Sequence, residues 1–245
     1  MVLLTGLGRR AGIVAAIAER LATDGWDLAF VYCSDYDTRV NGGADDIREI
    51  EHGLRKLGAR SVALDVDLAQ VDVATSIFDL AETLGPVTAL VLGHAESVNG
   101  GLLDTTIESF DRHLAVNARA SWLLIREFGR RFAGSTGAGR LVALTSDAIH
   151  DEVAYGASKG ALDRVVLAAA REFAGLGITA NLVNPGPVDT GWMTDEVRDW
   201  VLERTPAGRG GRPADTASLV AFLLSEDGQW INGQLLKSDG GFSAP

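Results

Sequence analysis

Cysteine is almost missing from this chain of 245 residues: Cys33 stands alone, so no internal disulfide can form and no cysteine-based metal cluster can be assembled. Basic residues are also short. The 22 Lys and Arg against 33 Asp and Glu leave a net charge of −11, which excludes nucleic acid and anionic membrane surfaces as partners. The pair Arg9–Arg10 is a local exception. No apolar run approaches the ~20 residues of a membrane span. The opening MVLLTG has no basic stretch, long apolar core and cleavage site in succession. The expectation is a cytoplasmic protein with no membrane partner and no metal. Low-complexity linkers and internal repeats are missing too; AGSTGAG at 133–139 reads as a surface turn.

What is present suits a full core: 47% hydrophobic and 22% charged residues. Short β-rich runs at 2–4, 28–33, 61–64, 89–92, 140–144, 179–182 and 234–237 alternate with helical patterns at 12–23, 43–57, 71–84, 105–132, 155–174 and 213–225. Strands alternating with helices pair in parallel through right-handed crossovers. The expectation is α/β: a single doubly wound domain over 1–245, of Rossmann type, with about seven parallel strands and helices on both faces. The stretch 190–212 breaks the alternation. Val197, Trp200 and Val201 share a helical face, and Gly208, Gly210 and Gly211 follow. A helix on glycine-rich connections reads as a substrate lid or as a packed excursion.

In a doubly wound sheet, ligands bind at the carboxyl ends of the strands, and the first strand-to-helix turn offers backbone N–H groups to a pyrophosphate. LLTGLGRRAGIVAAIAERLA at 3–22 supplies such a turn, with Gly6, Gly8 and Gly12 leading into Ile13. Its spacing matches neither G-x-G-x-x-G nor the phosphate loop ending in Gly-Lys-Ser/Thr. Further along, LTSDAIHDEVAYGASKGALDR places Tyr155 and Lys159 at i and i+4 on one helical face, with Ser146 at the preceding strand end. A cation so close favours the phenolate, so Tyr155 is expected to have a lowered pKa and to act as acid and base near neutrality.

The ordered series of glycine turn, Asn117 in AVNARASWLL, Ser146, Tyr155-x-x-x-Lys159 and NPGPVDTG resembles the short-chain dehydrogenase/reductase family over essentially the whole chain, in the manner of its 3-oxoacyl-[acyl-carrier-protein] reductases. The resemblance implies that Asn117, Ser146, Tyr155 and Lys159 are the catalytic tetrad. It implies hydride exchange between a nicotinamide and a ketone or secondary alcohol. Ser146 would hold the substrate oxygen, Tyr155 would carry the proton, Lys159 would lower the Tyr pKa and hold the nicotinamide ribose, and Asn117 would anchor a relay water. Pro185, Gly186, Val188 and Thr190 would meet the nicotinamide carboxamide, and Asp67 in LDVDLA the adenine. Gly93 and Ser34 complete the expected cofactor set. INGQLLKSDGGF resembles the family's last strand and tail.

The departures are specific. Five residues, not three, separate Gly6 from Gly12, and Val14 replaces the third glycine, where it would tighten helix-to-strand packing. Gly93-His94-Ala95-Glu96 replaces the family's Asn-Asn-Ala-Gly, and Glu96 has no role in this reading. Nine positions, instead of about a dozen, separate Ser146 from Tyr155, which trims one wall of the pocket. Expected pocket residues are His94, Ser97, Ile149, His150, Val153, Pro187, Trp192 and Met193, suited to a hydrophobic or ring-bearing carbonyl. His94 and His150 read as loop residues, His150 with a modest claim to substrate contact. Asp35, Asp37, Asp45 and Asp46 read as a solvated acidic surface.

The position 20 residues beyond Gly12 is Tyr32, not the acid that holds an NAD ribose, although Asp35 lies three further on; Arg9 and Arg10 suit a 2′-phosphate. The reading leans to NADP, with NAD open. Two other classes stay open: a nucleotide-binding regulator without catalysis, and an assembly subunit. The resemblance also implies a homo-oligomer, dimer or tetramer, built through the long helices at 105–132 and 155–174.

Overall fold

The computed structural model describes residues 1–43, 45–148 and 151–244. Seven strands form one wholly parallel sheet: β1 (Val2–Thr5), β2 (Leu28–Tyr32), β3 (Ser61–Asp65), β4 (Ala89–Leu92), β5 (Gly139–Leu144), β6 (Ile178–Asn184) and β7 (Leu235–Lys237). Their spatial order is β3-β2-β1-β4-β5-β6-β7. The expected fold class is met, and expected strand ends differ by a residue or two; β6, longer at both ends, differs most.

Successive side chains of a strand point to opposite faces, so a strand covered on both sides reads as an unbroken apolar run. VLLT in β1 behaves this way. Leu3 enters one core with Phe78 of α4 (Val73–Ala81), Phe128 of α6 (Ser121–Arg131) and Val166 of α7 (Val153–Glu172). Val2 and Leu4 enter the other, with Ile17 of α1 (Ile13–Thr23), Leu54 of α3 (Ile47–Lys56) and Val220 of α9 (Pro213–Leu224).

Two helical expectations are corrected. The pattern at 43–57 begins only at Ile47, where the Asp46 carboxylate caps the Arg48 N–H, and a separate helix α2 (Ser34–Asn41) precedes it. The long helix at 105–132 is three pieces: α5 (Ile107–His113), a π-helical stretch Leu114–Ala120, and α6. The widened turns carry Asn117, and such π segments concentrate at functional sites.

The strand order reverses between β1 and β4, which makes their carboxyl ends the place for a ligand. Gly6 and Gly93 follow these strands and nearly touch. A Cβ on Gly6, at φ +90°, would lie 2.7 Å from the His94 nitrogen, and one on Gly93 would run into the Val14 methyl. Val14 thus fills the volume that Gly93 leaves, which accounts for the valine in place of a third glycine. Gly93→Ala is expected to lower stability by roughly 1–3 kcal/mol through overpacking. Val14→Ala in the same chain is expected to restore most of that loss, as read by denaturant unfolding of the three proteins.

Candidate active site

The cleft at this switch point encloses about 830 Å3 and runs from the glycine turn to the loop after β6. Gly6, Gly8, Gly12 and Gly93 line it on one side, with the Asp37 carboxylate resting against Gly8, and Gly12 is the N-cap of α1, whose first turn carries no acid. A helix N-terminus with free N–H groups favours an anion. These residues fit the pyrophosphate of a dinucleotide. Ile13, Asp67, Pro185, Gly186, Val188 and Thr190 line the same cleft.

Ser146 after β5, Tyr155 and Lys159 of α7 and Asn117 of the π stretch lie close together, and Tyr155 and Lys159 also border Gly6 and Gly12. Ser146 follows β5 and lines the cleft with Tyr155, near enough for its hydroxyl to pull the Tyr155 pKa down; its Oγ accepts from the Ala148 N–H at 3.1 Å. Lys159 is fully buried, donates to the Leu144 carbonyl at 2.9 Å and lies 5.6 Å from the centre of the Tyr155 ring. Burial pulls its pKa down to about 8, with Asp163 pulling the other way. For Tyr155 the expected direction is reversed. Burial, helped by the negative charge of Glu152, raises its pKa despite the Ser146 hydrogen bond, so the phenol is held protonated.

Asn117 is buried in the π stretch. Its side chain accepts from the Glu96 N–H at 2.7 Å and donates to the Glu96 carbonyl at 2.9 Å and to Ser158 Oγ at 2.8 Å. Ser158 in turn donates to the Tyr155 carbonyl at 2.7 Å. Both amide hydrogens are engaged with protein, so the Asn117 side chain staples the segment after β4 to α7.

Several expected contacts fall elsewhere. His94 is buried: Nδ1 accepts from Thr5 Oγ1 at 2.6 Å and Nε2 donates to the Val116 carbonyl at 3.0 Å, with Ser121 Oγ close by. Burial, reinforced by the charge of Lys159, pushes its pKa down to about 3. The neutral ring braces the ends of β1 and β4, and His94 lines the cleft from there. Arg10 points outward to Glu49 at 2.7 Å and receives the Asp45 carboxylate on its backbone N–H. Ser34 donates its N–H and hydroxyl to Asp65 and lies outside the cleft, as do Val153 and the buried Met193. Ile149 and His150 lie outside the described residues. Ser97, Pro187 and Trp192 line the cleft as expected.

Other residues were missed. Tyr36, Asp37, Val40 and Asn41 of α2 line one wall, and Trp200 of α8 (Asp195–Arg204) and Phe242 line another, their rings edge to face at 5.3 Å. Asp37 is buried, not a solvated surface acid; its carboxylate lies against Gly8, where a side chain would collide with it, and accepts from Asn41 at 2.8 Å. Glu96 is 2% exposed and binds Arg39 of α2 at 2.7 and 2.8 Å and Arg112 of α5 at 3.2 Å. Arg112 also grips Asp67 with two bonds, at 2.8 and 3.1 Å. The i, i+4 pairs Tyr36–Val40 and Asp37–Asn41, followed by the left-handed Gly42, were the available signal for α2. Among the described residues no group of three His, Cys, Asp or Glu could hold a metal, and no helix is long and apolar enough to cross a membrane.

Comparison with known proteins agrees with this geometry. A family model described as enoyl-(acyl carrier protein) reductase matches residues 6–243. The chain is 37% identical to the uncharacterized oxidoreductase YjdA of Bacillus subtilis (strain 168), over 98% of this chain and 95% of that one. It is 32% identical to a chloroplastic NADPH-dependent aldehyde reductase-like protein of Arabidopsis thaliana, over 98% and 93%. Among solved structures, a short-chain dehydrogenase from Burkholderia cenocepacia J2315 in complex with NADP superposes with a TM-score of 0.86 at 32% identity, covering 99% of this chain and 97% of that one. The chain belongs to the short-chain dehydrogenase/reductase family and is an NAD(P)-dependent oxidoreductase.

Proposed function

We propose that the protein interconverts an apolar or ring-bearing carbonyl compound and its alcohol with NADP(H), using Asn117, Ser146, Tyr155 and Lys159. Ser146 and Tyr155 on the cleft wall, with Lys159 beside Tyr155 and Asn117 tied to α7 behind them, carry this reading. Bound dinucleotide supplies or accepts the hydride. Ser146 donates a hydrogen bond to the substrate oxygen as negative charge gathers there. Tyr155, kept protonated by its surroundings, gives its proton to that oxygen in reduction and takes it back in oxidation. Lys159 places a positive charge beside the phenolate so formed, and Asn117 holds the segment after β4 against α7. Pro187, Val188, Trp192 and Phe242 give the substrate end an apolar wall.

The stretch 190–212 acts as the substrate lid. In support, its two ends are pinned by a bridge between Val188 and Gly211, and Thr194 caps the helix between them. Cytoplasmic assembly as a dimer or tetramer belongs to the same reading, supported by the exposure of Leu102, Leu103 and Ile107 beside α5.

NADP is assigned to this chain on Arg9, which lines the cleft beside the turn, and on the relatives whose names carry NADP or NADPH. Asp37 favours a second reading: a carboxylate against Gly8 accepts ribose hydroxyls and repels a 2′-phosphate. Titration with both cofactors, followed by tryptophan fluorescence, decides between them. With NADP, Arg9→Ala weakens NADPH binding about tenfold and leaves NADH unchanged. Tighter binding of NADH, insensitive to Arg9, overturns the assignment.

A further inference from the structure

Helix α2 has only eight residues, too few to hold helical form in water on their own, so its place is set by what it touches. Most of those contacts reach across the dinucleotide cleft. Tyr36 lines the cleft together with Ser97, beyond β4, and with Tyr155. The Asp37 carboxylate rests on Gly8. Asn41 Oδ1 accepts from Arg9 at 2.9 Å, and the same guanidinium donates to the Thr190 carbonyl at 2.6 Å on the opposite wall. Val40 faces the cavity between them.

One contact is stronger than the rest. Arg39 binds both oxygens of Glu96, at 2.7 and 2.8 Å. Its own side chain is 49% exposed, while that of Glu96 is 2% exposed. The fixed half of the pair is therefore embedded in the protein and the moving half is open to solvent. The embedded half does not drift, because Asn117 grips the backbone of Glu96 on both sides and Arg112 holds its carboxylate. An ion pair with one buried partner is screened less than a surface pair and is costly to break.

We propose that α2 is a roof over the dinucleotide cleft and that the Arg39–Glu96 pair is its latch. Arg39 and Glu96 are positioning residues that act on the cofactor through α2. A dinucleotide stretching from the glycine turn to Tyr155 passes beneath Tyr36 and Asp37, so it leaves only when the roof lifts. This rests on the assignment of the cleft to a nicotinamide dinucleotide.

Stopped-flow release of NADPH, chased with excess NADP and followed by tryptophan fluorescence, tests it in the full chain. Arg39→Met, at an exposed side chain, keeps the fold; Glu96→Gln keeps the backbone bonds to Asn117. Each substitution is expected to speed release about tenfold. Because both remove the Arg39–Glu96 pair, and Glu96→Gln weakens the Arg112 contact besides, the double variant is expected to release no faster than Glu96→Gln alone. Unchanged rates, or effects that multiply in the double variant, overturn the latch. A rise confined to the carbonyl KM does so as well, since it reduces α2 to a pocket wall. An unmodified protein that binds no dinucleotide contradicts the assignment of the cleft itself.

Discussion

Tyr155→Phe is expected to lower carbonyl turnover by about a thousandfold while NADPH affinity stays within about twofold. The substitution removes one oxygen from a ring that otherwise keeps its place on α7, so binding and chemistry separate. The Ser146 hydroxyl keeps the Ala148 N–H, and the strand end remains in position. Steady-state rates together with a fluorescence titration of the same sample check both halves. Full activity in the variant removes Tyr155 from the proton path, whereas loss of NADPH binding makes its role structural.

Lys159→Met is expected to cost about a hundredfold in turnover and to change the shape of the pH profile. The ammonium is buried and its pKa is pulled down to about 8. Below that pH it is charged and stabilises the phenolate left when Tyr155 gives up its proton. Above it the charge is lost, so carbonyl reduction falls as pH rises through about 8. Methionine fills similar volume without the charge and removes this step from the profile. It also leaves the Leu144 carbonyl without its donor, so a stability loss of roughly 1–3 kcal/mol accompanies the change. A profile with the same step in both proteins assigns that step to another group.

Much of this was legible from the chain alone. Apolar runs such as VLLT and LAFVY, with glycine at their ends and helical periods between, imply a sheet buried on both faces. Tyr155 and Lys159 share a helix face by spacing, and Ser146 ends a strand, so their convergence follows from the fold. What escaped lies where tertiary contacts override local preference. SDYDTRVN is polar and carries two acids in its first turn, so it reads as part of a solvated acidic surface; it is a helix held by Gly8, Arg9 and Glu96. Glu96 had no role because its partners, Arg39 and Arg112, are 57 and 16 residues away. The lowered Tyr155 pKa failed for a related reason. Spacing reports the nearby cation, but burial and Glu152 outweigh it.

Hydride transfer itself is the claim on which the rest depends. NADPH deuterated at the transferring position of the nicotinamide, incubated with the protein and a panel of apolar and aromatic ketones and aldehydes, tests it directly by mass spectrometry of the products. Hydride transfer puts one deuterium on the carbinol carbon of at least one product, absent from the Tyr155→Phe sample. NADPH that binds tightly yet passes deuterium to no carbonyl would contradict it.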